Sequence, residues 1–227
     1  LFDALGKALP NGRIAESSSG MNGTFSYRLP GRATPKVQYE LPAGAMGARR
    51  DTDGVSASKV HVANGSITPI EVLETEFPVQ IQRFELVTDS GGPGRYRGGL
   101  GYRREYRVLS PARFTTRNGK ELSPPAGKDG GLPGRPSTLI LNPGTDGERE
   151  ISIAEGGVML RSGDVVRMSQ AGGGGYGDPH TRPIEEVLRD VRDGYVSPEA
   201  ARTYYGVAIV ATGSSWEVNE TETEGLR

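Results

Sequence analysis

The run GGGGYGDP at residues 172–179 separates two parts of the chain that differ in character. Before it, short apolar runs alternate with turn residues, a pattern that predicts short strands. After it, apolar residues recur at helical spacing. We therefore predict an α+β fold in which short, mostly antiparallel strands and glycine-rich loops precede two short C-terminal helices. The predicted organisation is a β-rich body (1–171), the glycine loop with a helical tail packed on the body (172–211), and a disordered acidic tail (212–227).

Turn signals and hydrophobic periodicity place the individual elements. One further helix is predicted at the start, over residues 1–9, and its opening Leu1 leads us to expect that more sequence precedes it. The phase of the apolar residues slips within 79–87, which predicts a β-bulge. The predicted strands are 24–29, 55–62, 79–87, 102–109, 138–141, 150–153, 164–168 and 207–210, and the predicted tail helices are 184–191 and 198–205.

Composition excludes several classes of function. The 227 residues include 34 Gly and 16 Pro, so long helices cannot dominate. A net charge of −1 argues against nucleic acid and anionic membranes as partners. With no Cys and two His, disulfides, Cys nucleophiles and His-rich metal sites are excluded or nearly so. No apolar run reaches the length of a membrane helix, and we expect a cytoplasmic protein.

The glycine run has two interpretations. It satisfies G-x-G-x-x-G after a strand and before a helix, so its backbone N–H groups could hold an anion. However, no Gly-Lys-Ser/Thr follows, Asp178 would stand where a phosphate should bind, and a second strand ending in an acid is missing. We favour a structural role in close backbone packing. The candidate loop comprises Gly172, Gly173, Gly174, Gly175, Tyr176, Gly177 and Asp178.

The loop DSGGPGRYRGGLGY at residues 89–102 joins glycines to Arg95, Tyr96 and Arg97. Arginine side chains suit carboxylate or phosphate ligands. Alternatively, they pair with nearby acids at a subunit contact, where Tyr and Arg are enriched. We favour the contact.

A second charged loop, AGAMGARRDTDG (43–54), contains Arg49, Asp51 and Asp53. Together with His61 and Asn64 it could supply a carboxylate and an imidazole for acid–base or metal chemistry. The alternative, which we favour, is that His61 is a structural residue. His180 follows a proline at a helix start and is a weaker catalytic candidate still. No G-x-S-x-G motif is present, so serine-hydrolase chemistry is rejected.

Three separated stretches resemble the hydantoinase B/oxoprolinase family, in the family's order, and specifically the C-terminal part of its large subunit. The resemblance runs from about residue 1 to residue 210. The stretches are ELPAGAMGARRDTDGVSASKVHVANGSITPIEVLE (40–74), FPVQIQRFELVTDSGGPGRYRGGLGYRREYRVL (77–109), and GGGGYGDP (172–179) followed by EVLRDVRDGYVSPEAARTYYGV (186–207).

The resemblance implies an ATP-dependent hydrolase of cyclic amides (hydantoin, 5-oxoproline or a lactam) that works with a hydantoinase A-type ATPase subunit. In the family, ATP activates the substrate oxygen, and a divalent metal is held by His and Asp near the N-terminal part of the subunit, which this chain lacks. We therefore expect ATP/Mg and the metal in the partner or in the missing part, and none bound by this chain itself. We expect the chain to be inactive alone.

The resemblance also selects candidate residues for a pocket or an interface. His61, Asn64 and Glu71 fall in an H-x-x-x-N-x-x-P-x-E-like stretch, with loosened spacing. Asp89 and Arg95 fall in a DSGG-x-GR stretch with Gly91, Gly92 and Gly94. Including the charged loops, the candidates are Arg49, Asp53, His61, Asn64, Glu71, Asp89, Arg95 and Arg97, without an assigned catalytic role and with no metal ligand among them.

Two other functions fit the same sequence. One is part of an ATP-dependent ketone carboxylase of the acetone or acetophenone type, which shares the fold and the partner. The other is a non-catalytic assembly module whose glycine loops shape a contact surface. The leading interpretation is a C-terminal segment or split subunit of a hydantoinase B-type enzyme, whose partners are the remainder of that subunit, the ATPase subunit and a small-molecule substrate.

Overall fold

Hydrogen-bonded strands form most of the body, as the short apolar runs predict. The computed structural model describes residues 6, 8, 9, 12–60, 66–117, 119–152 and 155–227. The strands are β1 (Asn22–Tyr27), β2 (Lys36–Glu40), β3 (Val79–Leu86), β4 (Tyr102–Val108), β5 (Ala112–Arg117), β6 (Thr138–Leu141), β7 (Arg149–Glu150), β8 (Val158–Leu160), β9 (Val165–Ser169), β10 (Ile209–Thr212) and β11 (Ser215–Val218). The helices are α1 (Ile70–Glu76), α2 (Ile184–Arg192), α3 (Pro198–Tyr205) and α4 (Glu220–Leu226), with a 3-10 turn at Pro179–Thr181.

Two antiparallel sheets enclose the main core. Their strand orders are β2-β1-β5-β8 and β3-β4-β9-β6-β7. The ring of Phe25 on β1 lies 4.7 Å from that of Phe114 on β5 and 5.3 Å, between centroids, from that of Tyr106 on the other sheet. Val166 and Met168 of β9 are buried in the same cluster. Each such side chain contributes about 1.5–3 kcal/mol relative to exposure to water. The α+β class with antiparallel strands is confirmed.

The predicted bulge in β3 is also confirmed. The register with β4 shifts between Ile81 and Arg83, so Gln82 has no opposing residue. Phe84 then lies opposite Arg104 and packs edge-on against Tyr102 at 5.1 Å. The slipped phase of the apolar residues was therefore a true signal of one extra residue.

Glycine-rich segments pack against each other at the end of the sandwich, and we call segments 44–48, 90–101, 126–135 and 172–177 the glycine bundle. Gly173 donates its N–H to the Gly99 carbonyl (2.9 Å) and accepts from the Gly92 N–H (2.8 Å). A Cβ on Gly173 would lie 2.1 Å from the Met46 carbonyl oxygen. Glycine is required here because another backbone occupies the place of a side chain.

The tail forms a second, smaller core. Val187 and Val191 of α2 pack with the buried Ala201 and Tyr205 of α3. Ser197 caps α3 by accepting from the Ala200 N–H at 3.1 Å. Gly206 ends that helix in the left-handed conformation, at φ 63°. Both tail helices and their boundary signals are thus confirmed.

The predicted strand over 55–62 is wrong for residues 55–60, and residues 61–62 lie outside the described residues. Residues 56–57 form a turn, with Ala57 at φ 46°. The segment bonds in alternation to two different neighbours: Val55 accepts from the Met46 N–H, and Ser56 accepts from the Leu100 N–H. Such divided pairing gives no continuous ladder with one strand.

The disorder predicted for residues 212–227 is also contradicted. β11 pairs with β10, and Asn219 caps α4 by accepting from the Glu222 N–H. The buried Thr223 hydroxyl accepts from the Ala208 N–H at 3.0 Å. Trp216 packs against the tail core. These contacts hold a segment whose composition alone suggests disorder.

The helix predicted over residues 1–9 falls almost wholly outside the described residues. Within the residues that the structure does describe, no helix has the length and apolar character needed to cross a membrane. The division into 1–171 and 172–211 remains a prediction.

Replacing Gly173 by Ala should destabilise the fold strongly, because the new Cβ meets the Met46 carbonyl at 2.1 Å. We expect a loss of about 1–3 kcal/mol or more in the free energy of unfolding, measured in urea. The control is Gly225→Ala, since a Cβ at Gly225 in α4 has no neighbour within 4 Å. It should stabilise by up to about 1 kcal/mol. Equal stabilities of the two variants would contradict the account of the bundle.

Candidate functional site

Four charged side chains meet where the tail packs on the glycine bundle, and we call Asp53, Arg97, Arg182 and Asp190 the ionic joint. Arg182 binds Asp53 through two parallel contacts, Nη1–Oδ1 and Nη2–Oδ2, both of 2.8 Å. Its Nη2 also lies 2.9 Å from Asp190 Oδ2. Arg97 Nε lies 3.4 Å from the same Asp190 oxygen. The joint therefore links one carboxylate of the body with one of the tail.

Local structure positions each member. Asp53 lies in the charged loop, and Arg97 donates its backbone N–H to Asp53 Oδ1 at 2.7 Å. Arg182 follows the 3-10 turn Pro179–Thr181, which Asp178 caps by accepting from the His180 N–H. Asp190 is presented by α2. The bundle and the start of the tail together therefore fix the joint.

Burial and charge shift the acids of the joint in opposite directions. Burial alone raises the pKa of Asp53, but the hydrogen bond and charge of Arg182, with the charge of Arg97, outweigh it, so that pKa lies below its ordinary value. Burial raises the pKa of Asp190, although Arg97 and Arg182 oppose the shift. Burial would lower the pKa of Arg182, yet its bond to Asp53 and the charge of Asp190 keep it above the ordinary range.

A cavity of about 360 Å³ lies beside the joint, with Thr52, Tyr96 and Glu186 among its lining residues. The guanidinium of Arg97 stacks 5.1 Å from the centroid of the Tyr195 ring. Every guanidinium of the joint already faces a carboxylate, so the joint offers no unpaired cation to an anionic substrate. Its chemistry is that of a rigid ion-pair contact.

A second polar network is buried inside the sandwich. Glu40 Oε2 lies 3.4 Å from Arg104 Nη1 and accepts from the Tyr106 hydroxyl at 3.3 Å. Gln38 donates to Glu40 Oε1 at 3.2 Å and accepts from the Tyr27 hydroxyl at 2.7 Å. Burial raises the pKa of Glu40, against the bonds from Gln38, Arg104 and Tyr106. Sequence reasoning missed this network; its signal was that Glu40 and Arg104 both lie in strand-forming segments of the quoted stretches.

The structure brings some predicted residues together. Asp53 and Arg97 belong to the joint, and the Arg95 carbonyl accepts from Arg182 at 3.1 Å. Asp89 also connects body and tail, because its Oδ1 accepts from the Ser197 N–H at 2.7 Å. The pairing expected between arginines and acids therefore occurs within the chain, and Arg182 and Asp190 are the members that sequence reasoning missed.

Other predicted residues lie elsewhere. Arg49 is exposed, and its backbone forms a bridge with Ile14. Glu71 is exposed in the first turn of α1. His61 and Asn64 lie outside the described residues.

The glycine run uses its N–H groups inside the protein. Each N–H from Gly172 to Gly177 donates to a backbone carbonyl, at distances of 2.9–3.1 Å. None remains for a phosphate, so the run has the structural role in backbone packing. In order, the acceptors are Arg135, Gly99, Glu16, Leu132, Tyr96 and Lys128.

The described residues contain no group of three or more His, Asp or Glu side chains placed to hold a metal ion. The acids of the joint are instead matched by arginines. We therefore route no chemical step of this chain through a metal.

Comparison with known proteins places this geometry in context. The family described as Hydantoinase B/oxoprolinase matches residues 1–179. The putative B component of a D-/L-hydantoinase from Pseudomonas sp. (strain NS671), described as one of its subunits, is 30% identical over 228 residues, covering 99% of this chain and 38% of the relative.

Solved structures share the fold over almost the whole chain. The ATP-dependent caprolactamase from Pseudomonas jessenii matches with a TM-score of 0.78 and 32% identity, covering 98% of this chain and 39% of that one. A nucleotide-free acetone carboxylase matches with the same TM-score of 0.78 but 21% identity, covering 98% and 34%, a likeness of fold alone. The chain therefore spans less than two fifths of the length of these proteins.

Replacing Arg182 by Met should break the joint, because Asp53 and Asp190 would lose their shared cation. Arg182 is 3% exposed, and removing one partner of a buried pair typically costs about 3–5 kcal/mol. The control is Arg149→Met, whose partner Glu155 is exposed on the sandwich, where about 1 kcal/mol or less is expected. Chemical denaturation measures both, and a loss for Arg182→Met no larger than the control's would contradict a joint that supports the fold.

Stability should depend on pH through Asp53. Its folded-state pKa lies below the ordinary value of 3.8, so the ionised group stabilises the fold fully above that value and progressively less as the pH falls below it. The difference in unfolding free energy between the wild type and Asp53→Asn should be constant at about pH 5–7 and shrink towards about pH 2.5. A difference that grows on acidification would refute the assignment; Asp146→Asn, at an exposed turn, is the control.

Proposed function

Since the chain belongs to the hydantoinase B/oxoprolinase family, we propose that it forms part of the B component of an ATP-dependent enzyme that opens a cyclic amide. The substrate class comprises hydantoins, 5-oxoproline and lactams. We propose a cytoplasmic location, where ATP is available.

One observation carries the proposal: the match to the ATP-dependent caprolactamase combines 98% coverage of this chain with 32% identity. The hydantoinase relative supports the same substrate class, because a hydantoin, like a lactam, contains a cyclic amide. Its description as one subunit of that enzyme supports an assembly of more than one chain.

The role proposed for this chain is to support the site. In the described residues, the acids and arginines of the joint neutralise one another, and the backbone groups of the glycine run are bonded internally. A rigid scaffold of this kind can hold catalytic groups in place. We propose that ATP/Mg and a divalent metal bind to a hydantoinase A-type ATPase partner and to the remainder of the B component, and that the chain alone does not turn over substrate.

The carboxylase alternative has weaker support. The acetone carboxylase structure has the same TM-score as the caprolactamase but 21% identity against 32%. Shared fold does not by itself carry function. The higher identity therefore favours hydrolysis.

Reconstitution tests the proposal. This chain, the remainder of a hydantoinase B component and a hydantoinase A-type ATPase subunit are combined with ATP and, in turn, caprolactam, 5-oxoproline and hydantoin. We expect a ring-opened product, with ADP, only in the complete mixture, detected by mass spectrometry.

Mixtures without the partner, without this chain or without ATP are the controls. Labelled bicarbonate is added to a parallel reaction with acetone as substrate. Label in an acyl product, without ring opening of any amide, would establish carboxylation and refute the proposal. Turnover by this chain alone would refute the proposed division of roles.

A further inference from the structure

A second cavity, of about 520 Å³, lies between the glycine bundle and α3. Its volume is in the range of small-molecule sites. The DSGG loop contributes Asp89 and Gly91 to one wall, and α3 contributes Ala200 and Tyr204 to another. The cavity is thus built from a motif that the ionic joint does not use.

Most of the lining is apolar and rigid. The bundle supplies prolines and a leucine, and their backbones are held by hydrogen bonds such as that from the Leu132 N–H to the Pro93 carbonyl, of 2.8 Å. Prolines lose little conformational freedom when a ligand binds, so such a surface favours contact with an aliphatic chain. These residues are Pro93, Pro124, Leu132, Pro133 and Pro136.

Charged groups of opposite sign also line the cavity. The Arg135 side chain is 60% exposed, and its acidic contact among the described residues is a long one, 3.9 Å to Asp89 Oδ2. Its backbone is fixed, because its N–H donates to Ser90 and its carbonyl accepts from Gly172. Glu199 is exposed in the first turn of α3. The other Asp89 oxygen is occupied by the Ser197 N–H.

This arrangement selects the charge pattern of a ligand. A guanidinium can take a carboxylate, and Glu199 can take an ammonium group. With two carboxylates and one guanidinium in its lining, the cavity disfavours a dianion such as phosphate. The apolar wall suits methylene groups between the two charged ends.

We propose that this cavity binds an ω-amino carboxylate, with the carboxylate at Arg135 and the ammonium at Glu199. Hydrolysis of a lactam gives such a molecule, because the broken amide yields one amine and one carboxylate. The choice of ligand rests on the proposed function, whereas the charge pattern rests on the cavity alone.

Calorimetric titration of the purified chain tests the proposal, with 6-aminohexanoate, hexanoate and hexylamine as probes. We expect saturable binding of 6-aminohexanoate at about millimolar concentration and binding about fivefold weaker, or more, for each singly charged probe. Arg135→Gln and Glu199→Gln should each weaken 6-aminohexanoate binding by about fivefold, since each removes one ion pair.

The matched controls are Arg161→Gln and Glu224→Gln, exposed residues that do not line the cavity; they should leave binding unchanged. All four altered side chains are exposed, and thermal unfolding checks that the variants fold. Absence of saturable binding, equal binding of hexanoate, or equal effects of the controls would overturn the proposal. Failure of the reconstituted reaction with selective binding intact would instead refute only the proposed function.

Discussion

Close contact between backbones is the constraint on which the structure depends. In the run from Gly172 to Gly177, each peptide N–H bonds to a carbonyl of a different part of the chain, and a side chain at Gly173 would collide with Met46. The sandwich makes this possible, because β3 and β4 deliver segment 90–101 to the same end at which β9 leads into the run. The ionic joint follows from it, since the positions of Asp53, Arg97 and Arg182 are set by these segments.

Buried charge has a positional role in this fold. Arg182, Asp190 and Arg97 are nearly inaccessible to water, and Glu40 and Arg104 are buried within the sandwich. Removing such groups from water costs free energy that their mutual attraction offsets only when the geometry is good. An apolar contact of the same size would tolerate sliding, whereas the paired contacts of Arg182 with Asp53 accept one arrangement. The tail is thereby held in a single position on the bundle, next to the cavity between the bundle and α3.

Much of the fold was predictable where local signals agree. α2 and α3 carry helical periodicity, a capping Ser197 and a terminal Gly206, while β6 and β9 lie between clear turns. Sequence reasoning missed β2 because Gln38 and Glu40 point polar groups into the core and so break the alternation that marks a strand. It misjudged the final segment because composition does not show that Trp216 and Thr223 find partners. For the site, Asp53 and Arg97 could be named in advance, but their partners Arg182 and Asp190 follow more than eighty residues later, and only the tertiary structure joins them.

The bundle also bears on the order in which the molecule can fold. Gly174 bonds to Glu16, across most of the body. Contacts between such distant parts of a chain carry a large loop-closure cost before they return any stability, and folds dominated by them form slowly. Hairpins such as β10–β11 can appear early from neighbouring residues, whereas the glycine segments can assemble only after both sheets have brought their ends together. The sandwich is therefore the kinetic template, and the glycine layer is the last part of the architecture to close.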